Sequence, residues 1–113
     1  MTVRIGEVET FKSVRPDKAQ ALKPLEEAAE VFGAWQEWDK ARVLTKSEGR
    51  IDRCKMALLD ECADVVQAVC NLVAALCEPN FDGFMEDCQE RNVERGRIKT
   101  SGDEPSEFWD SYE

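Results

Sequence analysis

Two short patterns in this chain place carboxylates where helix geometry makes them neighbours. The first is Glu26-Glu27-Ala-Ala-Glu30, and the second is Glu61-Cys-Ala-Asp64. Residues three apart lie on one helix face, so Glu27 pairs with Glu30 and Glu61 with Asp64, one turn apart. The second pair sits among Cys62, Ala63, Val65, Val66, Ala68 and Val69, in the most apolar stretch of the protein. Burying an unpaired carboxylate there is costly, and like charges on one helix repel. Two outcomes relieve that repulsion. Either ordinary ion pairs form with Lys23, Arg53, Lys55 or Arg91, or a cation lies between the acids. Two antiparallel helices packed about 8–10 Å apart aim four carboxylates into one pocket. Such an all-oxygen donor set suits a hard divalent cation, Mg²⁺ or alternatively Mn²⁺.

The elements that must hold these acids are legible in the apolar spacing. Pro16-Asp17 opens a long first helix. Ala21, Leu22, Leu25, Ala28, Ala29, Phe32, Trp35 and Trp38 recur along it at three- and four-residue steps. Pro24 either kinks that helix or marks its start. The helix fades after Val43, and Ser47 and Gly49 mark a loop. A second helix runs from about Arg50 to Cys77, apolar almost all round, as in the centre of a bundle. Glu78-Pro79-Asn80 stops it. A third, over about 82–97, is capped by Asp82, turns Phe84, Met85, Cys88 and Val93 inward, and ends at Gly96. Residues 1–15 read as an extended arm or short strand that can pack on a neighbouring subunit. Residues 16–99 form the helical domain. Residues 100–113 are an acidic tail whose Phe108, Trp109 and Tyr112 are suited to dock on a partner. The predicted fold is all-α: two long antiparallel helices plus a shorter third. Two helices cannot cover the second one's apolar circumference, so another copy completes a four-helix arrangement, as a homodimer or homotetramer.

Composition removes many chemistries. The 113 residues contain no histidine, which excludes Ser-His, Cys-His and His-metal mechanisms. Five cysteines form no C-x-x-C pair and read as buried structural thiols. The net charge is −9, and five of the acids lie in residues 100–113 with no base among them. A surface of that sign argues against nonspecific nucleic-acid binding. No apolar run is long enough to span a membrane, and no leader is evident at the N-terminus, so a cytoplasmic location is expected.

Taken together, KPLEEAAEVFGAWQEW and LLDECADVVQAVCNLVAAL resemble the MazG-like all-α nucleoside triphosphate pyrophosphohydrolases. The signature of that family is E-E-x-x-E on one helix and E-x-x-D on the next. MEDCQERNVERGR resembles its closing basic motif through Arg91-Asn92 and Arg95. The likeness spans roughly residues 20–97. It implies that Glu27, Glu30, Glu61 and Asp64 hold Mg²⁺, which binds the triphosphate and activates a water. The products implied are a nucleoside monophosphate and pyrophosphate. It also implies an oligomer whose pocket is lined from more than one chain. Glu26 then orients a ligand or a water from behind the metal.

Arg91 and Arg95 share a helix face and either contact phosphate or pair with Asp87 and Glu94. Asn92 is a candidate for base or sugar. Asn71, seven residues after Asp64, either reaches the ligand or bonds across the bundle. Trp35 and Trp38 are base-stacking candidates or plain core. Lys23 either meets a phosphate or pairs on the surface. Two other readings follow from the same residues: a phosphoribosyl-nucleotide pyrophosphatase, and a helical interaction module without catalysis.

Overall fold

A computed structural model describes residues 1–99. It contains three helices, α1 (Lys18–Leu44), α2 (Glu48–Ala75) and α3 (Asp82–Glu94), and no strand among the described residues. Residues 1–79 form one compact unit, and the described residues 80–99 belong to a second. The aromatic tail lies outside the described residues.

Local chemistry sets the helix ends. Asp17 caps α1, its Oδ1 accepting from the Gln20 N–H at 2.9 Å. Pro24 lies inside α1 and does not begin it. A proline there removes one rung, the one onto the Gln20 carbonyl, and the helix runs on to Leu44. Ser47 is the cap of α2 and not a loop residue, with its Oγ accepting from Arg50 N–H at 3.3 Å. Asp82 is the first residue of α3 and not its cap. Its N–H is bonded instead by Asn80 Oδ1 at 3.0 Å.

Helices α2 and α3 end in the same way. In α3, Gly96 has φ +74°, its N–H bonds the Val93 carbonyl at 3.0 Å, and Arg97 N–H bonds the Asn92 carbonyl at 2.8 Å. These two bonds satisfy carbonyls that the helix end leaves open. In α2 the equivalent bonds are Cys77 N–H to Ala74 at 2.9 Å and Glu78 N–H to Val73 at 3.3 Å. Here the left-handed position is held by Cys77, at φ +60°. A side chain in that conformation costs about 1–2 kcal/mol, which glycine avoids. Cys77→Gly is therefore expected to stabilise the protein by about 1 kcal/mol, less what the unfolded chain gains in freedom. Urea unfolding at fixed protein concentration checks this; an unchanged or lower midpoint contradicts it.

Three residues, Thr45–Ser47, connect α1 to α2, and the two helices pack along their length as an antiparallel hairpin. Their interface is narrow. Among the described residues only Ala41, Ala68, Ala75 and Asn71 are buried. Leu25, Phe32 and Trp35 on α1, and Met56 and Leu59 on α2, stay exposed. The apolar circumference of α2 is thus covered on one side only within the protomer. This also corrects the expectation of buried thiols. Cys62 and Cys77 are exposed, Cys54, Cys70 and Cys88 are half-buried, and all are free.

The N-terminal arm forms no strand and lies against its own chain. Phe11 N–H donates to Asn71 Oδ1 at 3.1 Å, and Gln67 Nε2 donates to the Glu9 carbonyl at 3.0 Å. In the second unit, α3 buries no residue. Phe84 and Met85 are exposed, whereas Cys88 and Val93 are half-buried. Phe84 stacks on Phe81, with ring centroids 5.5 Å apart.

Candidate metal centre

The hairpin brings the two acid motifs together. Glu27 on α1 meets Glu61 and Asp64 on α2, with one carboxylate oxygen of each lying within 4.8 Å of the others. Glu27 and Glu61 are half-buried, and Asp64 is exposed. Among the described residues this is the group of three or more candidate ligands that can share an ion.

Glu30 stands beside the trio, within hydrogen-bonding reach of both Glu27 and Glu61. Both of those carboxyls are pushed above their ordinary value of 4.5. Loss of solvation is the largest cause for each, followed by the neighbouring Glu30 through its charge and a shared hydrogen bond. The charge of Asp64 adds to both, and Lys23 partly offsets the effect at Glu27. Glu61 Oε2 is buried and has no hydrogen-bond partner. A buried acceptor without a donor is costly, and either a proton or a cation would satisfy this oxygen.

A cleft of 510 Å³ lies beside Glu27 and Asp64. Glu27, Lys23 and Gln20 line it from α1, and Asp64, Gln67 and Asn71 from α2. Phe11, Ser13 and Arg15 of the arm complete its wall. Helical spacing explains the alignment: Gln20, Lys23 and Glu27 share one stripe of α1, and Asp64, Gln67, Ala68 and Asn71 share one of α2.

The remaining sequence candidates are distributed as follows. Glu26 lies outside the trio and pairs with Lys23 at 3.3 Å, both side chains being exposed. Lys23 thus makes the surface pair and also lines the cleft. Asn71 is 3% exposed, and its Oδ1 accepts from both Phe11 N–H and Gln67 Nε2. It therefore tethers the arm from within the cleft wall.

Trp38 does not line the cleft. It lies eleven residues beyond Glu27, about 16 Å along α1, where Arg42 covers its ring at 5.0 Å. Trp35 stacks on Phe32 at 5.9 Å. Arg91, Asn92 and Arg95 belong to the second unit. Asn92 Nδ2 donates to the Cys88 carbonyl at 3.0 Å, and Arg91 and Arg95 form no ion pair among the described residues.

Sequence reasoning missed Phe11, Ser13, Arg15, Gln20 and Gln67. The arm carries no periodicity that would show its course. One signal was available, since Arg15 immediately precedes the capped end of the helix whose stripe holds Lys23 and Glu27.

No known protein-family profile, no curated protein and no solved structure matches this chain.

Proposed function

We propose that the protein is a metal-dependent nucleotide pyrophosphohydrolase. In this reading it hydrolyses a nucleoside triphosphate to the monophosphate and pyrophosphate. The observation that carries the reading is the meeting of Glu27, Glu61 and Asp64 around a buried, unpartnered Glu61 oxygen, with Glu30 alongside. The resemblance of both acid motifs to the MazG-like family supports it.

The donor set fits Mg²⁺, because every ligand is a carboxylate oxygen and the trio is close enough to share one ion after small side-chain adjustments. When bound, such an ion stabilises charge on phosphate oxygens and makes a water acidic enough to attack phosphorus in line. Glu27, Glu61 and Asp64 would hold the ion. Glu30 stands beside Glu27 and Glu61 and would add a fourth carboxylate to the centre. Lys23 lends positive charge to the same wall. Water would add its oxygen to the α phosphorus and give up a proton to solvent as the bond to the β phosphate breaks, its electron pair leaving on pyrophosphate. Calorimetry with Mg²⁺ alone separates this enzyme from a helical module that has lost its chemistry. Saturable binding that disappears in Asp64→Ala is expected, and no binding by the wild type contradicts the reading.

The working unit in this proposal is a homodimer or homotetramer. One protomer leaves Leu25 68%, Phe32 59% and Met56 59% exposed, and its hairpin buries only alanines and one asparagine. Area of that kind is covered in stable proteins, and a second copy covers it symmetrically. Sedimentation at micromolar concentration is expected to give at least a dimer. A monodisperse monomer would contradict this.

A further inference from the structure

The arm has no role in the reading above, yet it lines one side of the cleft that Glu27 and Asp64 line on the other. We propose that residues 11–15 of the arm bind the substrate, with Arg15 contacting the phosphate chain and Phe11 stacking on the base. The inference rests on the pyrophosphohydrolase reading and extends it to substrate recognition.

Four observations carry it. Phe11, Arg15 and Lys23 line the same cleft as Glu27 and Asp64. Arg15 is exposed and makes no ion pair among the described residues, so its guanidinium is available. Phe11 is 63% exposed, which leaves an aromatic face open beside the cleft. Finally, the arm is held in place: Asn71 and Gln67 bond its backbone at Phe11 and Glu9. Those tethers use main-chain atoms of the arm, so the Phe11 ring and the Arg15 head do not participate in them.

Charge gives the arrangement its logic. A triphosphate is strongly anionic and the protein carries −9. Phosphates that extend beyond a cation at Glu27 and Asp64 need positive partners on the same wall. Arg15 offers a planar fork suited to two phosphate oxygens, and Lys23 a point charge. An aromatic face beside a phosphate site binds a base in stacked geometry, with little discrimination between bases.

The test uses the full chain with Mg²⁺ and two probes in calorimetry: inorganic tripolyphosphate, and the four α,β-methylene deoxynucleoside triphosphates, which resist cleavage at that bond. Arg15→Ala is expected to weaken tripolyphosphate binding about ten- to hundredfold, and Arg15→Lys, which keeps the charge without the fork, to restore only part of it. Phe11→Ala is expected to leave tripolyphosphate binding unchanged while weakening the nucleotide analogues about tenfold. Neither variant should alter binding of Mg²⁺ alone or the melting temperature, since both side chains are exposed.

Probe affinities that stay at the wild-type value in Arg15→Ala and Phe11→Ala overturn the proposal, even if hydrolysis is intact. Tripolyphosphate that fails to bind a wild type competent for Mg²⁺ overturns it too. A wild type that binds the probes through Arg15 and Phe11 but hydrolyses nothing leaves the arm assignment standing and removes the hydrolase reading. A wild type that binds neither Mg²⁺ nor either probe contradicts both.

Discussion

Asp64→Ala is expected to lower Mg²⁺-dependent pyrophosphate release by at least about a thousandfold while the protein stays folded. Asp64 is one of three carboxylates that can share an ion, and the other two are on opposite helices. Losing it leaves one ligand from each helix. A metal ion contributes several kcal/mol of charge stabilisation to a phosphoryl transition state, and each 1.36 kcal/mol is a factor of ten in rate. Folding should not suffer. Asp64 is exposed, it lies mid-helix, and alanine is the better helix former. Its removal also relieves repulsion on Glu27 and Glu61, since its charge raises both of their pKa values. The melting temperature of the variant without metal is therefore expected to equal or exceed that of the wild type. Hydrolysis at the wild-type rate would remove Asp64 from the centre.

The second large effect is a stabilisation by Mg²⁺ that depends on pH. Glu27 and Glu61 hold their protons more tightly in the folded chain than in the unfolded one. A raised folded-state pKa contributes stability that is fully present below the unfolded value, near 4.5, and is lost as pH rises through the raised values. Without metal, the cluster therefore favours folding in acid and opposes it at neutral pH and above. Mg²⁺ binds the deprotonated carboxylates, and only the folded hairpin assembles them. At a hundred times its dissociation constant, the ion is expected to raise the melting temperature by about 10 °C near pH 8. Near pH 5 protons compete for the same oxygens and the rise should be much smaller. Melting curves with and without Mg²⁺ at the two pH values measure this. An equal shift at both, or none at either, would show that these acids do not bind the metal as a cluster.

The helices were legible because each has a local cause. Asp17 caps α1, and the apolar steps from Ala21 to Trp38 carry it forward. Gly96 ends α3 because the left-handed turn there suits glycine. The acid trio was legible for the same reason, since i,i+3 spacing on two helices joined by a short turn leaves few other arrangements. Three features were not legible. Pro24 could have begun α1, but the cap at Asp17 and packing on α2 carry the helix through it. Cys77 adopts the turn that glycine usually takes, so residue type alone pointed elsewhere. The course of the arm is set by two side chains some sixty residues away, Gln67 and Asn71. Asn71 was visible as a polar residue in an apolar helix. Its partner, a backbone N–H from the arm, leaves no trace in a sequence pattern. Trp38 matched the stripe of Glu27 by count, yet three helical turns of separation take it out of the cleft.

A carboxylate centre of the proposed kind would cleave nucleoside triphosphates between the α and β phosphorus atoms. The most direct measurement is product analysis of the wild-type chain with a panel of ribo- and deoxyribonucleoside triphosphates, with Mg²⁺ and with a chelator. Nucleoside monophosphate and pyrophosphate are expected in equal amounts for at least one nucleotide, and neither product with the chelator. Release of orthophosphate and a diphosphate, or no turnover of any nucleotide with Mg²⁺ present, would contradict it.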